Sequence, residues 1–331
     1  MRALITSRAA RLGLGLAVSV AFLAATLRQV DLDAAVRLLF EAEPAWIAAA
    51  LGLVGFEVAL RAARWKLLLR PFRVVPYRYA AGYLCIGYFV NTVLPVRLGD
   101  LARALLASRT LHIPGLATLG TIVVERLADG LTILALVIVF GLVVSGTSTL
   151  VTSALLLVAL GVAAAVALVG AAVVARRLRL QETRYGSALL AFVRRIAVGA
   201  TALRDPRTLL LVVALTLAAF WVAVGAFLAT CAAVGISVTP LQAALVMGGL
   251  ALSTALPVAP GSLGTYEFVG VAILTSFGIA PEAALATVLL VHAMALLLPA
   301  TLGLGAAWLV HFNVRDVISY PAADSPGVPA A

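Results

Sequence analysis

The chain has 331 residues, of which 63% are hydrophobic and 11% charged, and its mean hydropathy is +1.13. Soluble domains carry roughly 25% charged residues; a soluble enzyme, a disordered chain, a coiled coil and a disulfide-stapled secreted domain are therefore excluded, and a polytopic membrane protein remains. The net charge of +10 comes from 23 Arg and one Lys placed between apolar runs, a positive-inside pattern whose implied partner is anionic lipid, not nucleic acid.

The apolar runs are continuous and about 20 residues long, which predicts helices and not the strands of about 10 residues of an outer-membrane barrel. Arg2, Arg8 and Arg11 precede the apolar residues 12–27 with no clear cleavage site, predicting an uncleaved first span. Residues 28–43 set two Arg against Asp31, Asp33, Glu41 and Glu43 and read as the outside face. A second span covers 45–60. Arg61, Arg64, Lys66, Arg70, Arg73 and Arg78 follow with no acid among them, which assigns this side to the cytoplasm and Arg61, Arg64 and Trp65 to an interfacial anchor. The apolar run 79–95 ends in the break Leu94-Pro95-Val96-Arg97-Leu98-Gly99, and 100–109 is too short and too charged to cross; a helical hairpin that returns to its own side fits better.

Residues 116–144 and 151–175 each predict one span. The segment 176–207, with eight Arg against Glu182 and Asp205, reads as a cytoplasmic loop with an amphipathic surface helix. A span over 208–234 follows. The run 241–256 meets a second break, Leu256-Pro257-Val258-Ala259-Pro260-Gly261, and 262–277 returns with Ser262 as its expected cap. A long apolar stretch, 283–311, contains Pro299, and the polar, Pro-rich residues 320–331 read as a disordered tail. Cys85 and Cys231 lie in apolar runs and read as packing residues. The expected fold is an all-α polytopic membrane protein, one domain over 1–319, with about six full spans and two re-entrant hairpins and both termini cytoplasmic.

The two breaks resemble each other at an offset of 162: Gly87 falls on Gly249, Thr92 on Thr254, Leu94-Pro95-Val96 on Leu256-Pro257-Val258, Gly99 on Gly261. Downstream the match resumes at an offset of 166, Leu119-Gly120-Thr121 on Leu285-Ala286-Thr287, which sets Arg126 opposite His292. Repeats over about 10–145 and 150–312 would each cross three times, so the second would be inverted; the flanks of its hairpin, 235–240 and 278–282, carry no Arg. Inverted repeats around broken helices are a transporter architecture with the substrate near the midplane.

Three groups of residues carry candidate chemistry. Glu125, Arg126 and Asp129 fall ~15–20 Å along a helix starting near Gly115, at 1.5 Å per residue, where each charge costs about 2.5–3.5 kcal/mol to insert. Glu125 and Asp129 lie on one face and repel unless a cation sits between them. Arg126 is the cation within one turn of both and is expected to compensate them. The cluster is either a structural ion-pair network or a substrate- or proton-handling site. At the first break, Asn91, Arg97, Asp100 and Arg103 surround a half-helix N-terminus that favours an anion, and the two Arg suit a phosphate. At the second, Pro257, Pro260, Gly261 and Gly264 permit a sharp break, and Glu267 either complements the local dipole or binds an amine or proton. His292 reads as a core histidine made interesting by its opposition to Arg126. No metal-ligand cluster, nucleotide loop or nucleophile elbow is visible, so no cofactor is expected.

These residues resemble one family. Arg61-x-x-Arg64-Trp65, Asn91-x-x-Leu94-Pro95-x-Arg97-x-Gly99-Asp100-x-x-Arg103, Glu125-Arg126-Leu127-x-Asp129 and Pro257-x-x-Pro260-Gly261-x-x-Gly264-x-x-Glu267 are similar to the transmembrane, flippase-like domain of lysylphosphatidylglycerol synthases, over about 10–312. Relatives usually have Glu at Asp100 and often Arg at His292. The resemblance implies a bacterial inner-membrane protein that translocates or binds a phospholipid, glycolipid or hopanoid-type lipid with an anionic or zwitterionic head group. With no aminoacyl-transferase domain before residue 331, lysine transfer from tRNA is not expected, and the chain is expected not to be an enzyme. A homo-oligomer or a separate lipid-modifying enzyme is left open as partner. A small-anion transporter would instead close its cavity to lipid, and a subunit acting on a membrane lipid would show head-group turnover.

Overall fold

The computed structural model describes residues 8–28, 30–93, 98–145, 198–254 and 260–309. The predicted span 151–175, most of the Arg-rich segment 176–207, the residues Arg97 and Pro257, and the predicted tail lie outside the described residues. Within them the chain forms ten α-helices and no strand: α1 (Arg8–Leu27), α2 (Leu32–Glu41), α3 (Pro44–Leu69), α4 (Tyr77–Val93), α5 (Gly99–Leu111), α6 (Gly115–Ser145), α7 (Pro206–Val234), α8 (Pro240–Ser253), α9 (Thr265–Ser276) and α10 (Pro281–Leu309). Among the described residues α3, α7 and α10 are long and apolar enough to cross a bilayer.

Local chemistry sets the ends of these helices. Pro44, Pro206 and Pro240 occupy the first turn of α3, α7 and α8, where a missing N–H is harmless. Asp205 caps α7 by accepting from the Arg207 and Thr208 amides. The Thr208 hydroxyl and those amides hold the Asp205 carboxyl below the usual carboxylate range. Gly235, at φ 78°, closes α7 in the left-handed conformation. Thr239 and Gln242 form a reciprocal capping box on α8.

Two expectations are corrected here. The helix of the second predicted span does not stop at residue 60: α3 continues unbroken to Leu69, and Arg64 and Trp65 within it are buried among neighbouring helices. Ser262 does not cap α9. It sits at φ 59° in the turn, and the Gly264 amide before α9 is bonded by Glu267 instead.

α4 and α5 pack as an antiparallel hairpin. Tyr83 bonds Thr110 near its open end, and the Asn91 Oδ1 accepts the Gly99 N–H at 2.8 Å beside the break. α8 and α9 form a second hairpin, with Gly249 of one beside Ile273 of the other. The two hairpins pack crosswise: α4 lies on α10, and α8 lies on α6. The long helices α3 and α7 pack along their length and run antiparallel. The Glu43 amide beside the start of α3 donates to the Ala233 carbonyl near the end of α7, and Arg64 meets Thr216 further along.

Crossings this close depend on small residues, since lipid tails provide no hydrophobic force between helices. At the α4–α10 crossing a Cβ on Gly303 would collide with the Cys85 carbonyl and lie 2.7 Å from the Phe89 Cβ, whereas nothing lies within 4 Å of one on Gly305. Gly303→Ala should therefore destabilise the protein by about 1–3 kcal/mol, the usual cost of overpacking, and Gly305→Ala should be near neutral, as read by thermal unfolding in detergent.

Candidate functional site

α3, α5 and α6 bring eight charged side chains into one unbroken chain of alternating sign. Glu57 Oε1 accepts from Arg61 Nε at 2.7 Å, and Arg61 Nη1 reaches Asp129 Oδ2 at 3.1 Å. Arg64 grips both oxygens of Asp129 and reaches Glu125 Oε1 at 3.0 Å. Arg103 Nη2 takes the other Glu125 oxygen at 2.9 Å, and its Nη1 lies 3.7 Å from Asp100 Oδ1. Asp100 then accepts from Arg126 Nη2 at 3.2 Å. The order is Glu57, Arg61, Asp129, Arg64, Glu125, Arg103, Asp100, Arg126: four carboxylates and four guanidinium groups with no net charge.

The middle of this ladder is sealed. The Arg64, Arg103 and Glu125 side chains are 1%, 3% and 5% exposed. Arg64 also donates to Thr216 on α7 at 3.0 Å, and the Arg103 guanidinium lies 4.1 Å above the Trp65 ring, a cation–π contact. Trp65 donates through Nε1 to Thr121 at 3.3 Å. Gly87 makes room for this arrangement, since a Cβ there would lie 2.8 Å from Arg103 Cδ.

This geometry reassigns the compensating cation. Glu125 and Asp129 do share a helix face, and a cation does sit between them, but it is Arg64 from α3. Arg126 points away, half exposed, and pairs with Asp100. Neighbours on one helix at adjacent positions face different directions, so proximity in sequence misplaced it. Arg61, Arg64 and Trp65, expected at an interface, belong to this site. Glu57, an acid inside a predicted span, passed unremarked; its isolation in an apolar run was the available signal. Asn91 bonds the Gly99 amide, so the half-helix N-terminus of α5 is capped from within its own hairpin.

The second break gathers a separate group. His292 Nδ1 lies 2.5 Å from Glu267 Oε1, and its Nε2 lies 2.8 Å from the Gly261 carbonyl. The second Glu267 oxygen accepts the Gly264 amide at 2.6 Å. Tyr266 stacks on the imidazole with ring centres 4.1 Å apart. His292 thus ties α10 to the turn of the second hairpin. It does not join Arg126.

A cavity of about 310 Å³ lies between the two groups, at the small end of the range of about 300–1,000 Å³ for ligand sites. Glu57, Arg61, Tyr88 and Arg126 form its polar wall. Mostly apolar residues of α7 and α10, Ala223, Phe227, Val291 and Ala295 among them, form the opposite side together with Thr230 and Thr254, and Tyr266 stacks on His292 there. At the 162-residue offset of the two sequence breaks, Ala223 on the opposite side falls where Arg61 stands.

The apolar spans and this polar cluster among them define a multi-pass membrane protein. Residues 12–303 match the family described as the lysylphosphatidylglycerol synthase TM region, and the chain belongs to that family. It is also 29% identical over 324 residues to a Haloferax volcanii protein named Glycosyltransferase AglD, a match covering 85% of this chain and 51% of the relative. The chain thus spans about half the length of that curated relative. No solved structure matches. The expectation of a non-enzymatic protein is corrected by this relative, which carries an enzyme's name.

Removing Arg64 would take away the cation between Glu125 and Asp129 and leave each carboxylate with one guanidinium partner instead of two. Breaking a buried pair costs about 3–5 kcal/mol, whereas exposed pairs are worth about 0–1 kcal/mol. Arg64→Ala should therefore unfold or strongly destabilise the protein and Arg126→Ala should not, as measured by thermal unfolding of the two purified variants.

Proposed function

We propose that the chain binds the head group of an amphipathic membrane lipid in the cavity between its two halves and carries it between leaflets. The observation that supports this best is the mixed chemistry of the cavity: every charged group that lines it stands on α3 or α6, while α7 and α10 supply mostly alkyl and aromatic groups. A lipid needs both, one side for the head group and one for the start of its chains. Arg61 and Arg126 would meet the head group directly, while Asp100, Arg103, Glu125 and Asp129 hold them in place; Asn91, Glu267 and His292 hold the hairpin turns. The antiparallel run of α3 and α7 and the crosswise packing of the hairpins support an inverted repeat with two re-entrant hairpins, the arrangement that lets a central site open to either side.

The Haloferax relative favours a second reading, in which the same cavity presents a lipid for glycosyl transfer. Liposomes loaded with the purified protein and with fluorescently tagged lipids of several head groups would test both. Translocation predicts that the tagged lipid becomes accessible to an external quencher faster than in protein-free vesicles, and that Arg126→Ala slows this several-fold while the protein stays folded. Equal rates with and without protein overturn translocation. Incorporation of radiolabelled sugar into a lipid would support the second reading.

A further inference from the structure

The ion ladder is an open chain, and both of its ends face the same cavity. Each interior member contacts two groups of opposite sign. Glu57, at one end, contacts only Arg61 among the described residues, through Oε1. Arg126, at the other, forms its one ion pair among the described residues with Asp100, through Nη2, and its side chain is 50% exposed. Glu57 and Arg126 both line the cavity. The cavity therefore presents one negative and one positive terminus of the network, beside Arg61, which is already paired with a carboxylate on each side.

We infer that the cavity selects a net-neutral zwitterionic phospholipid head group, with its phosphate on Arg126 and its ammonium on Glu57. This rests on the lipid-binding reading above and specifies its substrate class. The free edge of a guanidinium offers paired N–H donors that match phosphate oxygens, and a carboxylate with a spare oxygen accepts an ammonium N–H. Such a ligand adds an anion beside Arg126 and a cation beside Glu57, and so turns the open chain into a closed ring of alternating charge. An anionic head group satisfies Arg126 and leaves Glu57 facing it without a cation. A cationic one does the reverse. Each mismatch leaves one terminus of the ladder without its counter-ion, and the cost is greater at Glu57, whose side chain is 17% exposed.

The test is equilibrium binding of phosphatidylethanolamine and phosphatidylglycerol, with identical acyl chains, to the purified full chain in detergent. Wild type should bind phosphatidylethanolamine about tenfold more tightly, the worth of one charge-assisted hydrogen bond. Glu57→Gln should erase that preference by weakening phosphatidylethanolamine alone, Glu57→Asp should retain it, and Arg126→Gln should weaken both lipids. Equal affinity of wild type for the two lipids, or a preference that survives Glu57→Gln, overturns zwitterion selection and leaves lipid binding standing. Saturable binding of neither lipid overturns the lipid-binding reading and this inference together. If Glu57→Gln fails to fold, the wild-type ratio and Glu57→Asp still decide the question.

Discussion

A guanidinium group buried at 1% exposure inside a bundle of apolar helices is the constraint around which the first half of this protein is arranged. Taking such an ion out of water costs several kcal/mol even after relaxation, and Arg64 recovers that cost only by meeting Asp129, Glu125 and Thr216 at once. Those partners come from α6 and α7, so the requirement fixes where both helices lie against α3. Each carboxylate then needs its own second cation, which brings in Arg61 and Arg103. Arg103 in turn needs α5 close to α4, which Gly87 permits. The hairpin, the long helices and the ion ladder are one solution to one electrostatic problem.

Across the cavity the chain carries mostly small and apolar side chains. Where α3 carries Arg61, the position 162 residues on, in α7, carries Ala223. Charged groups of α3 and α6 facing mostly apolar groups of α7 and α10 make a cavity of mixed chemistry.

The two hairpin turns are held by different means. At the first, the Asn91 amide side chain accepts the Gly99 N–H. At the second, Glu267 accepts the Gly264 N–H and passes the connection through His292 to the Gly261 carbonyl. Free backbone amides at a broken helix must be satisfied within the protein where water is excluded. The second arrangement uses a carboxylate and an imidazole, so it places ionisable groups beside a cavity wall that is mostly apolar.

Composition and periodicity determined the all-helical membrane class, the location of most helices to within a few residues and the existence of both breaks, because these depend on residues adjacent in sequence: apolar run length, Pro and Gly, Arg density. The family resemblance also rested on short local motifs. The end of α3 was misread because a run of Arg after an apolar stretch looks the same whether it meets water or a buried acid. Partners were misread for the same reason. Glu125 and Asp129 announced a missing cation, but whether Arg126 or Arg64 supplied it depended on which helix packed against α6, and Glu57 had no visible role until α3 and α6 were side by side. An ion pair between residues about 60 positions apart leaves no mark in either local sequence; only the tertiary structure, by bringing α3, α5 and α6 together, decided which opposite charges could meet.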